Sequence, residues 1–152
     1  MFKVTKEQAL QAQQVLAPAK LTKIEAATDK LKVVKVLRQL DKVREEFDET
    51  RKSLIEKMKG DKHDEYQKKL DKWQQEEQAK KEISLSEEER IELNVYFQKY
   101  NKDVQEALDK EAKEEVEIDA DKLTQEIADG IIKSNEDLTT RQIVSIFDVT
   151  AE

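Results

Sequence analysis

The chain has 152 residues, of which 41% are charged, with two glycines, one proline and no cysteine. This excludes a disulfide framework, a thiolate metal centre and a glycine-rich phosphate loop, and no apolar run approaches the roughly 20 residues of a membrane span. The formal charge of −7 is uneven: residues 111–152 hold 12 acids against 4 bases, while the other 110 residues net +1.

So few chain breakers among so many Lys, Glu, Gln, Leu and Ala residues make the chain helical almost by elimination. Disorder competes at this charge and hydropathy, but the apolar residues are too regularly spaced for it. Met1 to Lys6 lacks the apolar core of a secretory signal, so an intracellular, soluble product is expected.

In chain order, Thr5 and Gln8 form a capping box, with Val4 placed to staple against Ala9. The helix they open is expected to run from about Lys6 to Ala17, where Pro18 excludes the helical conformation. A second start is read at Thr22 and Glu25, with Leu21 and Ala26 as the staple. From there no breaker occurs before Gly60. Val36, Leu40, Val43, Phe47, Thr50 and Leu54 step by alternating fours and threes, a heptad seam.

Ser86 with Glu89, or Ser84 with Glu87, caps a helix expected to run to Lys113. Its seam is Leu93, Phe97, Tyr100, Val104, Ala107 or Leu108, and Ala112. Segments 22–59 and 87–113 are therefore expected to be the arms of a long antiparallel, coiled-coil-like hairpin. Phe47 would lie near Tyr100, Val43 near Val104, and Leu54 near Leu93. Core packing is the plain reading of these seams. Val33, Val34 and Leu37 exceed what one partner helix covers, which leaves them to the terminal helices or to a second copy of the chain.

Residues 60–85 are read as the tip. Tyr66, Leu70 and Trp73 keep helical spacing in this very polar stretch. They either fold back on the hairpin or anchor a partner, since Trp and Tyr dominate contact energies.

Residues 114–152 form an acidic C-terminal segment. Glu115 to Asp119 alternate as in a short strand. Asp119 or Asp121 is read as the cap of a helix through Leu123, Ile127 and Ala128, ended by Gly130. Thr139 with Gln142 caps a last helix bearing Ile143, Val144, Ile146 and Phe147. These short helices, with the N-terminal helix around Leu10, Val15 and Leu16, are expected to pack at the base of the hairpin. All 152 residues then make a single helical domain.

Candidate chemistry is sparse. His63 is the only histidine and reads as a surface residue, since one imidazole cannot build a multi-histidine site. A serine nucleophile would lack a base and its orienting partner. No catalytic, cofactor or metal residues are assigned, and an enzyme is not expected. Lysine runs such as Lys68, Lys69 and Lys72 are interleaved with acids, as on a solvated helix face, and the acidic end repels a phosphate backbone. Nucleic acid is therefore a disfavoured partner, and a membrane is not expected as one.

Three stretches carry a resemblance: KVVKVLRQLDKVREEFDETRKSLIEK at 32–57, NKDVQEALDKEAKEEVEID at 101–119, and LTTRQIVSIFDVTAE at 138–152. In this order they resemble a family of short helical proteins encoded by tailed bacteriophages. Residues 60–85 depart from that family's pattern, which carries a turn-rich insert there, and the family brings no catalytic residues. The resemblance implies a phage structural or accessory protein, a virion component or assembly factor, located in the virion or the host cytoplasm. Its partners would be other phage proteins or a host protein. Tip contacts would come from Tyr66, Leu70 and Trp73, and base contacts from Ile143, Ile146 and Phe147. The competing reading is an inhibitor of a host enzyme or defence system that uses its acidic surface to occupy a basic groove.

Overall fold

The computed structural model describes residues 1–152 and is 68% helical, with six helices and one two-stranded antiparallel sheet. The elements are β1 (Phe2–Thr5), α1 (Lys6–Leu16), α2 (Ala27–Met58), α3 (His63–Gln78), α4 (Glu87–Ala112), β2 (Glu115–Ile118), α5 (Gln125–Ser134) and α6 (Thr140–Asp148). They divide into two compact units. Unit 1 comprises Met1–Thr50 with Lys110–Glu152, and unit 2 comprises Arg51–Asp109.

Unit 1 holds the main core. β1 pairs with β2 so that Phe2 opposes Ile118 and Val4 opposes Val116, and Lys6 N–H extends the ladder to Glu114 O at 2.8 Å. Thr5 ends the strand and caps α1 in the same residue. Its hydroxyl accepts from Gln8 N–H at 3.1 Å, and the Gln8 side chain accepts from Thr5 N–H at 3.0 Å. The expected capping box is thus present, and the strand before it, unforeseen in the sequence, gives β2 its partner.

α1 buries Ala9, Ala12, Val15 and Leu16, and its two alanines let α6 approach closely. The helix stops at Leu16, yet Ala17 keeps helical dihedrals, φ −58° and ψ −47°. Pro18 therefore ends α1 by lacking an N–H to continue the ladder, and the expected steric exclusion at Ala17 does not occur.

α2 begins at Ala27, five residues after the expected Thr22 cap. Tertiary bonds explain the delay. Lys20 N–H donates to Asn135 Oδ1 at 2.9 Å and Lys23 N–H to Ser134 Oγ at 2.8 Å, so residues 20–23 are committed to the end of α5. Ile24 is buried in the core instead of sitting on a helix turn. Val33, Val36, Leu40 and Val43 then line one face of α2 and join the core formed with α1, α5, α6 and the sheet. Each such side chain contributes roughly 1.5–3 kcal/mol by leaving water.

Thr124 is the observed cap of α5, accepting from Ile127 N–H at 3.2 Å, in place of Asp119 or Asp121. Gly130 does not end that helix; it lies inside it, and α5 continues to Ser134. α6 starts at the expected Thr139–Gln142 capping box. The chain then returns beside Leu123, whose N–H bonds Val149 O at 2.9 Å and whose carbonyl accepts from Ala151 N–H at 2.8 Å.

Unit 2 is a helical hairpin. Within it, the end of α2 and then α3 run antiparallel to α4. Tyr100 donates to Ile55 O at 3.4 Å, Gly60 N–H donates to Tyr96 OH at 3.3 Å, and Tyr66 OH donates to Glu92 at 2.5 Å. Tyr100 therefore faces Ile55, about two helical turns from its expected partner Phe47. Leu93 lies between Glu92 and Tyr96, which bond Tyr66 and His63 of α3, and not opposite Leu54 as expected. In unit 1, Phe47 instead borders a shallow cleft with Leu10 and Ala112.

The expected tip segment is mostly helix α3, which serves as a further length of arm. The reversal lies at 79–86. There Lys81 N–H bonds Glu76 O at 2.9 Å and Lys80 N–H bonds Glu77 O at 3.1 Å. This double bond pattern ends α3 with Lys80 in the left-handed region at φ 53°. Glu76 also accepts from Ser84 N–H and Oγ at 2.8 and 2.7 Å, bonds that hold its carboxyl below the usual range. Ser86 and Glu89 then cap α4 reciprocally.

Candidate interaction surfaces

In unit 2 the inner face of α3 meets an aromatic run on α4. His63, expected at the surface, is only 6% exposed. Its Nδ1 shares a 2.7 Å hydrogen bond with Tyr96 OH, and its ring lies 4.8 Å from that of Tyr100 and 5.8 Å from that of Phe97, centroid to centroid. Tyr66 packs against Tyr96 at 4.8 Å. The imidazole is buried because α3 folds onto α4, and its place three residues before Tyr66 and seven before Leu70 was the available signal, since it sets His63 on the same helix face.

The three tip candidates divide along this face. Tyr66 is buried and bonded to Glu92, and that carboxylate acceptor raises its phenol pKa. Leu70 and Trp73 are half-buried on the same face of α3. The Trp73 indole donates to Glu77 one turn on, at 3.0 Å. Little of the stripe is left free, because the fold-back expected as one alternative uses most of it.

The base candidates lie on α6 in unit 1, and they too divide. Ile146 is fully buried and Ile143 half-buried. Phe147 is 52% exposed and Val144, one turn before it, is 54% exposed. The apolar residues of the nine-residue α6 form one broad arc in the order Ile146, Ile143, Phe147, Val144, with Ile143 and Ile146 on its buried flank and Val144 and Phe147 on its exposed flank. Val144 borders a groove of about 440 Å³ between α1 and α6, with Gln11, Gln14, Val15 and Arg141. Beside Phe147, Asp148 is partly buried and accepts from Gln8 at 3.3 Å. Burial pushes its carboxyl pKa up, against the opposing hydrogen bond and the charge of Lys122.

A second cleft in unit 1, about 510 Å³, is lined by Lys20, Lys23 and Lys133 together with Asn135 and Glu136. Lys133 is already paired with Asp129 at 2.8 Å. The acidic residues Glu115, Glu117, Asp119 and Asp121 are exposed on and after β2. No group of three or more His, Asp or Glu side chains is placed to hold a metal ion, and no helix is long and apolar enough to cross a membrane.

Sequence reasoning missed Ile91 and Val95 on α4, which are 56% and 61% exposed. They lie one turn apart and off the heptad seam, a spacing that was available as a signal. Comparison with protein-family models, curated proteins and solved structures finds no match to this chain.

Proposed function

We propose that this chain is a non-enzymatic structural or accessory protein that works through helical protein–protein contacts, with α6 as its principal docking element. The observation that carries this reading is the division of α6 into a buried and a bare apolar flank. Ile146 is fixed in the core while Val144 and Phe147 face solvent, Val144 on the rim of the α1–α6 groove. Exposed apolar surface on a rigid element is costly to keep in water and marks interaction sites. An exposed aromatic on a docked helix is the kind of anchor that dominates binding energy. The phage setting, with a place in the virion or in its assembly in the host cytoplasm, rests on the resemblance of residues 32–57, 101–119 and 138–152. The partner would then be another phage protein.

The test is to tag the chain in an infecting phage, purify particles and assembly intermediates, and identify co-purifying proteins by mass spectrometry. Retention in particles or intermediates is expected, with a loss of at least tenfold for the Val144→Ser/Phe147→Ser double variant at unchanged helicity. A chain absent from both fractions, or retention indifferent to the two substitutions, overturns the reading. Capture of a host enzyme that weakens steeply with added salt would favour the inhibitor reading instead.

A further inference from the structure

α4 turns Leu93, Tyr96 and Tyr100 inward in unit 2, and its opposite face carries an ordered stripe. Glu87 and Glu88 come first, then exposed Ile91 and Val95, then Lys99 and Lys102. None of the chain's ion pairs involves Glu87, Glu88 or Lys99. Lys102 reaches only Glu106, at 3.9 Å. Between residues 87 and 102 the stripe thus has acid at one end, an apolar centre, and base at the other, with Glu87, Glu88 and Lys99 left unmatched internally.

We propose that this face of α4 is a self-association surface on which two copies of the chain lie with their α4 helices antiparallel. The argument is one of direction. A stripe that runs acid, apolar, base is complementary to itself only when reversed. With Ile91 of one copy against Val95 of the other, the two-fold axis passes at the level of residue 93. Glu87 then stands opposite Lys99 of the second copy, on both sides of the axis. A parallel pairing sets acid on acid and base on base, which opposes association. An isologous two-fold contact of this kind closes on itself and stops at two copies. Only two apolar side chains per copy enter the contact, so the pair forms and separates with concentration.

The test is sedimentation equilibrium of the full chain from about one micromolar to about one millimolar, at low salt. The mass is expected to rise from 17.8 kDa towards twice that value. Val95→Glu should weaken association at least tenfold at unchanged helical circular dichroism. Glu87→Lys alone and Lys99→Glu alone should each weaken it about tenfold, because two symmetric attractions become repulsions. The two changes in one chain should restore it, which damage to the α4 cap by Glu87→Lys would not. A constant monomer mass over the whole range overturns the proposal. So does undiminished association of the Val95→Glu chain, or a double variant as weak as either single one.

Discussion

A Cβ placed on Gly130 would stand 2.7 Å from Ile24 Cγ1, closer than two carbon atoms can rest. Gly130 lies inside α5, where glycine ordinarily costs about 1 kcal/mol relative to alanine. Here the missing side chain lets α5 close over a β-branched residue held in the core. Gly130→Ala is therefore expected to destabilise unit 1 by about 1–2 kcal/mol net, overpacking outweighing the gain in helix propensity. Thermal unfolding followed by circular dichroism should show the midpoint falling by a few degrees. A rise would show that Ile24 can move aside.

Lys80 presents the reverse case. It occupies the left-handed position that ends α3, where a side chain costs roughly 1–2 kcal/mol. Lys80→Gly removes that strain at the expense of some unfolded-state entropy. A net stabilisation of about 0.5–1 kcal/mol is expected, seen as slower amide exchange at the end of α3 and the start of α4. Faster exchange there would contradict the turn geometry.

Tyr96 OH serves two partners, Gly60 N–H and His63 Nδ1. Tyr96→Phe keeps the ring packing and leaves the imidazole nitrogen without its partner in a buried setting. The expected cost is about 1–2 kcal/mol in urea unfolding. A change under about 0.3 kcal/mol would mean that water replaces the hydroxyl.

Asp148 gives a dependence on pH. Its folded pKa is raised by burial, so the native state favours the protonated carboxyl. Its contribution to stability is then greatest below the usual carboxylate range and is lost as pH rises through the folded value. Asp148→Asn keeps an acceptor for Gln8 and removes the charge. At pH 7 it should stabilise by about 0.5 kcal/mol, and below about pH 3.5 the advantage should vanish. An advantage that grows towards low pH would reverse the sign of this argument.

Signals contained within one helical turn could be read from the sequence. The boxes at Thr5–Gln8, Ser86–Glu89 and Thr139–Gln142 all form, because both partners lie three residues apart and no competitor intervenes. Thr22–Glu25 had the same spacing and failed, since Asn135 and Ser134 bind the backbone of residues 20–23 from more than a hundred residues away. Gly130 is illegible for a related reason: its role depends on Ile24, and nothing local distinguishes a packing glycine from a terminating one.

Helix pairing was legible as a pattern but not as a register. A heptad seam nearly repeats under a one-heptad slip, which would carry Tyr100 from Phe47 to Leu54, and apolar spacing does not choose between them. The bond Tyr100 makes is to the carbonyl of Ile55, the next residue. What fixes the alignment is the polar bonding of Tyr96, Tyr66 and His63, which apolar spacing does not encode. The same limit applies to the surfaces. Ile146 and Phe147 are equally apolar on paper, and only the packing of α6 on α1 buries one and bares the other.

Phe2 finds its strand partner, Ile118, only after more than a hundred intervening residues have been made. During translation the opening segment must wait on the order of ten seconds for β2 to emerge. Residues 51–109 are contiguous and can assemble while the ribosome is still working. Nascent chains should therefore acquire protease resistance in their middle before their beginning, the reverse of simple vectorial order.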